Sequence, residues 1–158
     1  MIFVILGTQK FQLNRLLKAL DKLCENKTIT EEIFAQIGHS NYHPKNYLYT
    51  NFLDRLVFEK KMKDSSLVIT HGGVGSIITA INEKKPIIVF PRLKKYKEHV
   101  DDHQLEIARA FSKKNYVLCC EHTIDLEKMI EKAYQHQFDI YVSSTEKIVA
   151  IVKNALEG

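Results

Sequence analysis

The stretch that decides the fold runs from Leu67 to Arg92, LVITHGGVGSIITAINEKKPIIVFPR. Its opening run, Leu67 to Ile69, is apolar, β-branched and too short for a helix, which predicts a buried strand. His71-Gly72-Gly73-Val74-Gly75-Ser76 follows, with three glycines in four positions. Such a run lets the backbone turn sharply and approach a ligand closely. Ile77, Ile78 and Ile81 recur at helical spacing, so the loop feeds a helix N-terminus. Pro86 ends that helix, and Ile87 to Phe90 reads as a second buried strand. Strand, glycine loop, helix and strand make a parallel pair with a right-handed crossover. Unpaired N–H groups and the positive end of the helix dipole then face the loop, which favours an anion such as a phosphate.

The loop matches neither of two common phosphate loops. No Gly-Lys-Ser/Thr follows, so it is not a Walker A motif, and Gly73 and Gly75 lack the third glycine of a dinucleotide fingerprint. Spacing alone leaves two readings, a nucleotide-binding loop or a glycine-rich βα turn without a ligand.

A second unit of the same kind opens the chain. Ile2 to Leu6 reads as a buried strand, Gly7-Thr8-Gln9 breaks it, and Leu13, Leu16, Leu17, Leu20 and Leu23 mark one helix face. Ligands of open α/β sheets gather at the carboxyl ends of strands, so Gly7-Thr8 is a second candidate turn. Ile33 to Ile37 predicts a strand closed by Gly38, and Tyr47 to Thr50 a short one after a loop containing Pro44. Phe52, Leu53, Leu56, Val57 and Met62 suggest a helix, with Lys60, Lys61 and Lys63 on its solvated face. Pro91 to Lys97 is a basic loop bearing Tyr96, either simply solvated or turned toward lipid phosphates. Asp101-Asp102-His103-Gln104 starts a helix with Leu105, Ala108 and Phe111 buried, the acids suiting its dipole. Tyr116 to Cys119 is a further strand, and Ile124, Leu126, Met129, Ile130 and Ala133 a further helix. Ser143 to Glu146 matches a capping box before a last helix, Ser144 to Leu156, with a wide apolar stripe. Strands alternating with helices predict an α/β three-layer sandwich with a mostly parallel sheet.

The 158 residues suit one domain, 1–158, with a real core. The net charge of +4 and pI near 8.9 suit an anionic ligand or membrane surface. Nucleic acid is not expected, since no arginine-rich face or known motif is present. Cys24, Cys119 and Cys120 form neither a disulfide framework nor a metal pattern, which fits a reducing cytoplasm and packing roles. Neither a signal peptide nor a membrane span is expected.

Taken together, His71-Gly72-Gly73-x-x-Ser76, Pro86 and Asp102-His103-Gln104 resemble the donor-binding, C-terminal half of MurG-like GT-B inverting glycosyltransferases, a Rossmann-like domain. The chain is most similar to free-standing versions of that half, found in the soluble subunit of the dolichol-linked N-acetylglucosaminyltransferase and in bacterial capsule and exopolysaccharide relatives. Gly7-Thr8 and the run from Pro91-Arg92 through Glu98-His99-Val100-Asp101-Asp102-His103-Gln104 resemble the bacterial group. The resemblance covers roughly residues 1 to 120.

The resemblance implies a UDP-sugar-dependent hexosyltransferase subunit that transfers its sugar to a lipid-linked saccharide acceptor. It implies a membrane-anchored partner subunit with the acceptor domain, and a cytoplasmic chain recruited peripherally to the inner face of the membrane. The implied substrate-binding residues are Gly7, Thr8, His71, Gly72, Gly73, Gly75, Ser76, Asp102, His103 and Gln104, the last reaching donor sugar hydroxyls. No cofactor and no metal are implied, the UDP-sugar being a substrate. His71 and His99 are weak candidates for the base, since both can titrate near neutrality. Where relatives carry a ribose-binding glutamate three residues after the serine, this chain has Thr79. A non-catalytic nucleotide-sugar-binding or partner-stabilising module is the competing reading. The final helix is the expected docking surface.

Overall fold

The computed structural model describes residues 1–141 and 144–157. Six strands, β1 (Ile2–Ile5), β2 (Ile33–Gln36), β3 (Leu48–Thr50), β4 (Leu67–Thr70), β5 (Ile87–Val89) and β6 (Leu118–Cys119), form one sheet. Their order is β3-β2-β1-β4-β5-β6, and all five pairings are parallel. The helices are α1 (Asn14–Glu25), α2 (Arg55–Asp64), α3 (Val74–Asn82), α4 (His103–Lys113), α5 (Leu126–Gln135) and α6 (Thr145–Glu157). The chain begins at the sheet's centre, runs outward to β3, then returns to lay β4 on the other side of β1. That reversal opens a crevice at the carboxyl ends of β1 and β4. Ile5 pairs with Thr70 across it, so the turns after the two strands start side by side.

Strand alternation builds two cores. Ile2, Val4 and Leu6 pack with Leu16, Leu17 and Leu20 of α1 and Leu126 and Ile130 of α5. Phe3 and Ile5 face the other layer, with Ile77 and Ile81 of α3, Phe111 of α4 and Ile151 of α6. The strands at the centre are buried on both faces, which is why they read as unbroken apolar runs. Each large aliphatic or aromatic side chain so buried stabilises the fold by roughly 1.5–3 kcal/mol.

Three expectations change in the fold. Phe52 and Leu53 precede α2 rather than belonging to it, because Asp54 caps the helix by accepting from Val57 N at 3.0 Å. Leu56 and Val57 of α2 face solvent, and Phe58 and Met62 make its packing. The last helix is not a free stripe: α6 packs on α4 and buries Ile151, while Val149 and Leu156 stay exposed. Ser143 of the expected capping box lies outside the described residues. Ser144 Oγ accepts from Lys147 N at 3.4 Å at that helix end. No described helix is long and apolar enough to cross a membrane.

Candidate functional site

The crevice between the β1 and β4 turns opens into a cavity of about 350 Å³. One wall is Gly75, Ser76 and Thr79 of α3, with Gly7 and Thr8 beside them. The other is Ile5, Phe52, Leu53 and Phe58, with Gln36 between. The cavity is not the largest on the molecule. A groove of about 740 Å³ runs along α1, past Arg15, Lys18, Lys22 and Tyr96, and takes in the first residues of that helix, but its lining holds no glycine.

Gly73 occupies the N-cap of α3, so no side chain satisfies that helix end, and no acid sits in its first turn. The amides of Val74, Gly75 and Ser76 precede the first intrahelical bond, made by Ile77 N to Gly73 O at 3.1 Å. They stand at the positive end of the α3 dipole. Thr79 Oγ1 donates to Gly75 O at 2.9 Å, which leaves the Thr79 oxygen free to accept from a ligand hydroxyl.

The two turns are braced from below by side chains. Gln36 is buried; its Oε1 accepts from Gly7 N at 3.2 Å and its Nε2 donates to Gly7 O at 2.9 Å and Asn51 O at 2.8 Å. Gln104 is buried too, and its Oε1 accepts from Gly72 N at 3.3 Å and Arg92 N at 3.2 Å. The amides of Gly7 and Gly72, expected to face an anion, are therefore taken by glutamines. These glycines shape the turns instead: a Cβ on Gly7 would lie 2.6 Å from His71 Nε2, and one on Gly72 2.5 Å from Gln104 Cβ. A Cβ on Gly73 would run into the His71 ring, whereas one on Gly75 meets nothing within 4 Å. The close approach expected at Gly73 is an approach of protein to protein. Gly75 is the glycine that faces open space.

Of the residues singled out in the sequence, Gly7, Thr8, Gly75 and Ser76 line the cavity. His71, Gly72 and Gln104 lie buried beneath its turns. Asp102 and His103 are exposed and not part of its lining. Asp102 Oδ1 accepts from Lys94 N at 2.9 Å, and His103 Nδ1 lies 3.1 Å from Glu106 Oε2. His99 packs against Phe11, ring centroids 4.5 Å apart and planes tilted by 37°. Its buried Nδ1 is 3.2 Å from Asp101 Oδ1 but not aligned for a hydrogen bond. Gln36, Phe52, Leu53 and Phe58 escaped the sequence reading as site residues. Gln36 acts across 29 positions, and only the polar side chain within an apolar run signalled it. Among the described residues no group of three or more His, Cys, Asp or Glu could hold a metal ion.

His71 is fixed by its surroundings. Its Nδ1 lies 3.0 Å from Arg92 Nη1. Burial, and then the charge of Arg92, push its pKa from 6.5 down to about 3. The ring is neutral across the physiological range, so His71 is unfit as a base there.

Comparison with known proteins agrees with this architecture. Residues 1–157 match the glycosyltransferase family 28 C-terminal domain. The "UDP-N-acetylglucosamine transferase subunit ALG13" of Candida albicans is 40% identical over 72 residues, 45% of this chain and 22% of that protein. The Homo sapiens protein of that name is 28% identical over 126 residues, 75% of this chain and 11% of its own length. The chain thus spans well under two thirds of these relatives. The solution structure of ALG13 superposes with a TM-score of 0.68 at 18% identity, covering 98% of this chain and 96% of that one. Acinetobacter baumannii MurG superposes at 0.51 and 17%, covering 98% and 49%. At such identities the likeness is one of fold, a Rossmann-like α/β domain. With the family match running the length of the sheet and its helices, the chain belongs to the glycosyltransferase family 28 C-terminal domain family.

Proposed function

We propose that the cavity between the β1 and β4 turns binds a UDP-sugar, and that the chain is the donor-binding subunit of a two-chain inverting glycosyltransferase. One observation carries the reading. At the switch point of the sheet an uncapped helix start faces an apolar wall of Ile5, Phe52, Leu53 and Phe58. The wall suits a planar base, and the α3 amides with Ser76 suit a diphosphate. Transfer of a hexosyl group needs the leaving diphosphate held as its charge grows, which preorganised amides do without reorganising. Thr79 accepts from a ribose hydroxyl in place of a carboxylate. The open amide edge of Gln104 and the nearby Asp102 and His103 are candidates to orient the sugar.

The base that deprotonates the acceptor comes from elsewhere, since His71 is held neutral by burial and Arg92 and His99 does not line the cavity. We assign it to a membrane-anchored partner that presents a lipid-linked saccharide, with the chain recruited from the cytoplasm to the inner face. Curated relatives bear the word subunit in their names, which supports a partner. Their donor, UDP-N-acetylglucosamine, is the first to test. Capsule or exopolysaccharide synthesis is the setting that the run from Pro91 to Gln104 favours. The same lack of a base also favours a second reading, a nucleotide-sugar-binding module without catalysis.

Calorimetry with UDP, UDP-N-acetylglucosamine and UMP tests the site. UDP is expected to bind more tightly than UMP. Gly75→Val, which fills open space, is expected to weaken UDP by about tenfold or more, about 1.4 kcal/mol, with an unchanged fold by circular dichroism. Normal UDP affinity in that variant would place the nucleotide elsewhere.

A further inference from the structure

Arg92 is the largest side chain sealed in the interior, with none of its surface exposed. Its Nη2 donates to Leu6 O at 2.7 Å and Phe11 O at 3.0 Å, and its Nε to Gln12 O at 3.3 Å. Its Nη1 faces His71 Nδ1 at 3.0 Å, and its main-chain amide donates to the Gln104 oxygen that also takes Gly72 N. One residue in the loop after β5 therefore ties together both turns of the cavity. Among the described residues no carboxylate bonds its guanidinium, and Glu98 acts on it only through space. Buried Glu98 is taken by Arg15, at 3.0 Å through both oxygens, and by Leu93 N. A buried cation without a bonded anion is costly to keep. Volume alone does not call for one here; the guanidinium supplies donors to three carbonyl oxygens and His71 Nδ1, which an aliphatic side chain would leave unpaired.

A guanidinium has donors and no acceptor. The His71 nitrogen facing it must accept, which puts the ring's single proton on Nε2. That nitrogen lies at the seam of the two turns, where a Cβ on Gly7 would come within 2.6 Å of it and one on Gly73 within 2.8 Å. The Gln104 side chain lies near the His71 ring and favours its protonation, yet among the described residues no acceptor makes an aligned hydrogen bond to Nε2, and it is not a sealed atom: the one sealed side-chain polar atom without a partner is His99 Nδ1. The cavity itself is lined by no Lys, Arg or His.

We propose that Arg92 is the positioning residue of this site: it locks His71 in the Nε2–H tautomer as a fixed donor to a diphosphate and sets a buried positive charge behind it. The proposal rests on the reading of the cavity as a nucleotide-sugar site. Arg92 touches no ligand and acts through His71 and the turns. A charge behind the protein wall is screened by salt far less than a surface lysine. A neutral His71 donates a hydrogen bond before and after the sugar leaves, so no proton moves there as the diphosphate gathers charge.

Histidine ¹⁵N NMR on the intact chain, free and with UDP or pyrophosphate, tests this alongside calorimetry. In the wild type, His71 is expected to show a protonated Nε2 and an unprotonated Nδ1 at neutral pH, with the Nε2–H signal moving when UDP binds. In Arg92→Gln that preference is lost and UDP affinity falls by about tenfold or more. Arg92→Lys, which keeps charge but offers a single ammonium for four acceptors, restores part of the affinity without restoring the tautomer. If the variants fail to fold, the wild-type spectra alone decide. A protonated Nδ1, a charged ring at neutral pH, or bound UDP with an unmoved Nε2–H would each overturn the proposal while leaving the cavity reading intact. A wild-type chain to which no UDP binds at all would remove both.

Discussion

His71 shows how a fold rewrites a side chain's chemistry. From the sequence it is a candidate base. In the structure its pKa sits at about 3, through burial first and the charge of Arg92 second. In the unfolded chain it returns to an ordinary value near 6.5. Below that value the unfolded state binds a proton that the folded state refuses, so stability is complete above it and falls as pH drops toward 3. The loss from this one group is about 2 kcal/mol at pH 5. Urea unfolding of the wild type and His71→Asn, each at neutral pH and at pH 5, reads it: the variant should lose less stability on acidification. Equal losses would mean that the ring is charged in the folded state. The glycines carry a related lesson. That Gly72 and Gly73 matter was legible in the sequence, but the reason was not. His71 and Gln104 crowd Gly7, Gly72 and Gly73, and both crowding contacts to Gly7 and Gly72 bridge more than thirty residues. Only Gly75 keeps the open space expected of a ligand loop.

At the scale of elements, the central strands were readable because burial on both faces leaves unbroken apolar runs, as in Ile2–Ile5 and Leu67–Thr70. Phe52 and Leu53 misled for the opposite reason. They are apolar to wall a cavity and lie beyond the cap at Asp54, but apolar spacing alone merges them with the helix. Helix ends were equally hard to read, since glycine at the left-handed position is the usual stop signal. Here Lys27, Lys84 and Asn115 follow α1, α3 and α4 with φ of 58°, 56° and 62°. A side chain there is strained by roughly 1–2 kcal/mol, partly offset by the added freedom that glycine gives the unfolded chain. Lys27→Gly and Lys84→Gly should therefore each raise stability by a few tenths to about 1 kcal/mol. The two sites follow helices on opposite faces of the sheet, so the gains should add. Urea midpoints of the singles and the double would show it; a loss in either single would mean that the lysine makes compensating contacts.

At the scale of the molecule, exposed apolar side chains are scattered, Ile124 and Ile140 among them, but two places bear on docking. On α6, Ile151 is spent on the core, so removing the helix would strip the α4 layer as well as expose Val149 and Leu156. Truncation is therefore a poor test of docking. The other place is the outer edge of the sheet. There Leu48, at 64% exposure, lies on the edge strand β3, followed by Phe52 at 48% and Leu56 at 78%. An open edge strand with apolar neighbours invites a partner. Phe52 also walls the cavity, so whatever covers this edge reaches the mouth of that cavity. With its own histidine held neutral, the purified chain should bind UDP yet transfer no sugar from a UDP-sugar to a lipid-linked acceptor, and should do so once an acceptor-binding partner is supplied. Leu56→Asp should then keep UDP affinity within about twofold, because its side chain lies outside the cavity, yet lower partner-dependent transfer by about tenfold or more. Val149→Asp on α6 is the matched control. If it abolishes transfer while Leu56→Asp does not, the docking surface is the last helix after all. Transfer by the purified chain alone would end the two-chain reading, because some group in this domain would then be taking the acceptor's proton.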